Sequence, residues 1–172
     1  MTMITSVIDS MTACGISGLM TFISIEDCKT YKIRNNKVFW IALLGVIYRL
    51  VYQVEWLVGR EHSGITSMLK PTIEGVLGMV VVALPMLILT TKFNVPIGGG
   101  DIKLTGALGI YVGWQGSLII LLVSCVAAII TYGVKAIKSP GAVGLKTSIP
   151  MGLYTHIGFV FVICLKLLEL LF

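Results

Sequence analysis

The chain has 172 residues, 56% of them hydrophobic and 12% charged, and its 13 basic against 8 acidic residues give a formal net charge of +5. Soluble domains carry roughly 25% charged residues, so a mean hydropathy of +0.97 excludes an ordinary water-soluble domain and marks an integral membrane protein. Membrane topology and anionic lipid account for the basic excess, and no nucleic-acid partner is expected.

A bilayer core about 30 Å thick takes roughly 20 apolar residues per helix. Lipid offers the backbone no hydrogen bonds, which favours helices over any open sheet. The first apolar run, residues 3–25, contains Asp9 and Cys14. It lacks the basic start and small-residue cleavage site of a secretory signal, so a retained helix is expected. The charged stretch "IEDCKTYKIRNNK" follows, with Glu26 and Asp27 at the end of the helix and Asn35 turning the chain into the next one. The second run, 38–58, is interrupted by Arg49 and Glu55, and Tyr48, Tyr52 and Glu55 recur at i, i+4 and i+7 as one polar-edged packing face. The third, 72–91, carries Glu74 and Pro85, where a kink is expected. The fourth, 102–114, is short, and the fifth and sixth, 116–137 and 151–172, have few charges. The fold expected is all-α: one membrane-embedded domain over residues 1–172 with about six transmembrane helices.

Lys and Arg accumulate in short cytoplasmic connections. Lys29, Lys32, Arg34, Lys37, Lys92, Lys103, Lys135, Lys138 and Lys146 fall on one side of this topology, against Arg60, Lys70 and Lys166 on the other. That bias puts the N-terminus outside and the odd-numbered connections in the cytoplasm. Asp9, Arg49, Glu55 and Glu74 then lie towards the outer half, where they are expected to pair with one another or meet interfacial water. Trp56 and Trp114 fit an interfacial belt, His62 an outer loop, and His156 the start of the last helix, where it meets a buried partner or lines a groove. Cys14, Cys125 and Cys164 read as small buried apolar residues, and with Cys28 they form no CxxC pair, so no metal site is expected.

The stretch "NVPIGGGD" needs a separate account. Pro96 and three glycines disfavour helix, so Asp101 caps or opens the following helix. Gly98, Gly99 and Gly100 allow close backbone approach and positive φ, which suits an extended peptide beside a carboxylate. A phosphate would be repelled by Asp101, and the spacing is not that of a P-loop. The topology puts Asp27 and Asp101 on the same side, each at a helix terminus. Two such carboxylates can share a proton, one activating water and the other polarising a carbonyl. Lys103 is expected to reach lipid headgroups or to hold the substrate.

These residues resemble the type IV prepilin peptidase family. Gly98, Gly99, Gly100 and Asp101 fit the GxGD signature, continued by Ile102, Lys103 and Leu104; the stretch from Asp27 to Asn35 is similar to the first aspartate motif, with Arg34 at a usual proline; and "SIPMGLYTHIG" is similar to the entry into the last helix. The resemblance implies a polytopic aspartic endopeptidase that needs no cofactor. Asp27 and Asp101 are then catalytic, Gly98, Gly99, Gly100 and Lys103 bind substrate, and a pilin-like precursor is cut after its basic leader at the cytoplasmic face of the plasma membrane. The short first connection, Glu26 to Lys37, lacks the cysteine-rich insert of larger relatives, so cleavage without N-methylation is expected. Two rivals remain: a small transporter, which would show glycine breaks in both halves, and a presenilin-like intramembrane protease, whose first aspartate would lie deep in an apolar span.

Overall fold

The computed structural model describes residues 3–59, 65–93, 97–138 and 149–171. Five helices follow one another: α1 Met3–Thr30, α2 Asn35–Gly59, α3 Ile65–Lys92, α4 Gly99–Lys138 and α5 Met151–Leu171. All five are long and apolar enough to cross a membrane, and the chain is an all-α polytopic membrane protein. Large apolar side chains such as Leu122 and Ile129 point away from the bundle, 65% and 71% exposed, as lipid-facing residues do. Pro96, Arg60, His62 and Lys146 lie outside the described residues, and Glu55 and Trp56 are described by their backbone alone.

The helix ends follow local chemistry. Tyr31 takes the left-handed conformation, φ 52°, and its N–H donates to the Asp27 carbonyl at 2.9 Å, which closes α1. Gly98 opens α4, its carbonyl accepting from the N–H groups of Asp101 and Ile102 at 3.0 and 3.3 Å. Pro150 immediately precedes α5, where a missing N–H is no loss. α3 runs through Pro71 and Pro85 as a single element.

The count differs from about six. The fourth and fifth apolar runs lie in one element, α4, interrupted at Gly113, where φ is 81° and ψ −178°. At 1.5 Å per residue its 40 residues would measure about 60 Å if straight, twice a bilayer core. The contacts show a reversal instead. Before the break, Gly100 packs on Ile33, just beyond the Asp27 end of α1, whereas Tyr111 meets Asp9 at the opposite end of α1. After it, Gly116 packs on Val162, Ile120 on Gly158 and Ser124 on the Tyr154 carbonyl, back towards the end that holds Asp27. The two halves of α4 therefore run in opposite directions.

Arg49 secures the break. Its Nε and Nη2 donate to the carbonyls of Ile110 and Tyr111 at 2.8 and 3.0 Å, satisfying acceptors that the broken helix leaves free, and Nη1 pairs with Glu74 at 3.5 Å. The pairing expected of the outer-half charges is thus realised for Arg49 and Glu74. Gly78 of α3 and Gly109 of α4 touch backbone to backbone, so a side chain at either would collide with the other's carbonyl. The core between α1 and α4 is filled by Ile16, Met20, Ile23, Leu104, Leu108 and Phe159. Cys14 and Cys164 are exposed on the bundle's outer face, and so depart from the buried reading; Cys125 is half-buried.

Candidate active site

Asp27 sits in the closing part of α1, only 4% exposed. Its Oδ2 accepts the N–H of Gly152 at 2.8 Å. Gly152 lies in the first turn of α5, whose N–H groups have no partner within their own helix, so the Asp27 carboxylate caps α5 from a neighbouring helix. Ser24, one turn earlier, donates to the Gly152 carbonyl at 3.3 Å. A Cβ on residue 152 would lie 3.0 Å from Oδ2, so glycine gives the close approach.

Asp101 lies in the first turn of α4, half-buried, with its carboxylate folded over Gly98. Gly100 packs against Ile33 of the α1–α2 connection, which brings that loop onto the glycine run. Nothing lies within 4 Å of where a Gly99 side chain would be. Positive φ is not what the three glycines supply: among the described glycines only Gly113 has it. Gly98 and Gly100 provide close approach, and Gly99 leaves open space.

The four chain segments around the acids are thus the end of α1, the connection after it, and the starts of α4 and α5. Asp27 and Asp101 stand at the same end of the bundle, linked through Ile33 and Gly100. Glu26, the adjacent acid, turns elsewhere and pairs with Lys37 at 2.8 Å and Arg34 at 3.8 Å. Lys103 donates to Asn35 Oδ1 at 3.2 Å. Both line an apolar groove of about 430 Å³ between α2, α3 and the first half of α4, floored by Gly106, Ala83 and Met79; Gly98, Gly99 and Gly100 are not part of it. Among the described residues no three His, Cys, Asp or Glu side chains are grouped to hold a metal ion.

A family model described as the type IV leader peptidase family matches residues 14–133. The chain belongs to that family. Membership makes it a protease, and the transporter reading falls away. Neither curated proteins nor solved structures gave a match. Asp27 and Asp101 both lie inside the matched stretch, whereas Gly152 lies beyond it. Reading by sequence missed Gly152, Gly113 and Tyr111. The first was legible only as a glycine just after Ile149 and Pro150; the others sit in an apolar run with no local signal.

Proposed function

We propose that this leader peptidase is a membrane aspartic endopeptidase that removes the basic leader of type IV pilin-like precursors at the cytoplasmic membrane face, with Asp27 and Asp101 as its catalytic pair. The observation that carries the reading is that two carboxylates from distant parts of the chain stand at the same end of the bundle, the loop after Asp27 packing through Ile33 on Gly100 beside Asp101 and the exposed Gly98 and Gly99. One carboxylate, ionised, takes a proton from the attacking water. The other, protonated, donates to the scissile carbonyl oxygen, and a proton passes to the leaving amine as the tetrahedral intermediate collapses. The open space at Gly99 suits an extended peptide, and Lys103 at the mouth of the apolar groove suits a precursor whose apolar helix follows the cut. In this reading the two halves of α4 cross separately, giving six crossings with the N-terminus outside.

The test is incubation of the purified protein with a pilin-like precursor and mass measurement of the products. Asp27→Asn and Asp101→Asn should each abolish cleavage, and the double variant should be no worse, because residues acting as a unit lose nearly everything at the first removal. Glu26→Gln should cleave normally, its ion pairs being worth about 0–1 kcal/mol. The product should carry no added methyl group when S-adenosylmethionine is supplied. Normal cleavage by all three single variants would end the aspartic reading.

A further inference from the structure

The backbones of the helices that carry the two acids stand apart, and apolar side chains such as Met20 and Leu108 fill the space between them. Among the described residues no Cα of α1 comes within 8 Å of a Cα of α4. The two segments are linked at two levels. At one, the loop after Asp27 packs through Ile33 on Gly100, next to Asp101. At the other, the Tyr111 hydroxyl donates to Asp9 Oδ1 at 2.7 Å. The hydroxyl also lies 3.3 Å from the Asp9 carbonyl, and this bonding ties the two helices together at that level.

Tyr111 is held on several sides. It is 1% exposed. The Tyr48 ring packs edge-on against it at 4.8 Å, and its carbonyl is fixed by Arg49 immediately before the break at Gly113. From Asp101 to Tyr111 the chain is one uninterrupted helix, about 15 Å long at 1.5 Å per residue. Such a rod transmits a tilt at one end to the other.

We infer that Tyr111 is a positioning residue: its hydrogen bond to Asp9 sets the separation at which Asp101 faces Asp27. The kinetic consequence rests on the endopeptidase reading, but the distance does not. The experiment therefore measures both. Nitroxide labels are placed on Cys28 and on a Gly99→Cys substitution in the full chain, with Cys14, Cys125 and Cys164 replaced by serine, and their separation is read by pulsed electron resonance. Tyr111→Phe, which removes only the hydroxyl, should lengthen or broaden the distance distribution. Asp9→Ala should do the same, and the two together should add nothing further. Asp9→Asn retains the acceptor oxygen and should keep the native distribution. In the native-cysteine background, Tyr111→Phe should lower kcat by about tenfold or more with KM unchanged, as an ångström of misplacement can cost about 10²-fold; Asp9→Asn should restore what Asp9→Ala loses. An unchanged distance distribution in both Tyr111→Phe and Asp9→Ala overturns the inference, as does Asp9→Asn behaving like Asp9→Ala. Failure of the wild type to cleave overturns the endopeptidase reading instead, while the distances still decide the role of Tyr111.

Discussion

A methyl group at Gly98 would lie 2.7 Å from the Asp101 carboxylate and one at Gly100 2.9 Å from Ile33, whereas at Gly99 it would meet nothing within 4 Å. Gly98→Ala and Gly99→Ala should therefore separate. Gly98→Ala displaces an acid and should lower kcat by about tenfold or more. Gly99→Ala should leave insertion and thermal stability intact and act on KM alone, since it fills space assigned to substrate. Asp27 separates in a different way, because it both accepts from Gly152 and is assigned to chemistry. Asp27→Asn keeps an acceptor oxygen and should be inactive yet as stable as the wild type. Asp27→Ala loses the cap and should cost a further ~1 kcal/mol, read by thermal unfolding in detergent. Equal stability of the two variants would show that the cap contributes nothing. The acids were legible in the sequence because carboxylates are rare in so apolar a chain. Their partners Gly152 and Ile33 were not, since neither residue type announces what it touches.

At the scale of elements, the division of α4 rests on Gly113. Its φ of 81° with ψ of −178° belongs to a region that only glycine enters without strain. An alanine there would also place its Cβ 3.1 Å from Arg49 Nη2, so Gly113→Ala should cost about 1–3 kcal/mol. Gly133, in the second half of α4, has open space around it, and Gly133→Ala should be neutral or stabilising by up to about 1 kcal/mol. Thermal unfolding of the two variants side by side tests the contrast. Equal melting temperatures would mean that the reversal does not depend on glycine. Hydropathy indicated a division in this part of the chain because 102–114 and 116–137 together exceed one bilayer crossing. It could not identify the hinge residue among the many glycines of the chain, as a φ value has no compositional trace. Nor could it assign Arg49, which interrupts the second apolar run and whose partners are carbonyls 61 and 62 residues away.

For the whole molecule, the orientation argued from basic residues is open to direct measurement. Cys28 is exposed at the Asp27 end of the bundle, and Lys70 is exposed near the start of α3 at the other. With Cys14, Cys125 and Cys164 replaced, a membrane-impermeant thiol reagent added to intact cells should spare Cys28 and label a cysteine placed at Lys70 in a Cys28→Ser background. Opening the cytoplasmic side should reverse the Cys28 result. Labelling of Cys28 from outside would invert the topology and move the proposed cut to the other face.

The sequence by itself determined the solvent and the secondary structure, because lipid admits only helices for long apolar runs. It also determined which acids stand at helix ends, because charge in such a chain collects there. Tertiary structure decided what those acids touch. Asp27 meets Gly152 across 125 residues, and Tyr111 meets Asp9 across 102. In lipid the hydrophobic effect does not by itself favour one packing of apolar helices over another, so the arrangement depends on close small-residue contacts and interhelical hydrogen bonds. The contact between Gly78 and Gly109 and the bonds made by Arg49, Asp9 and Asp27 are of these kinds. Each needs two partners brought together by the fold, and no local pattern in either segment records the other.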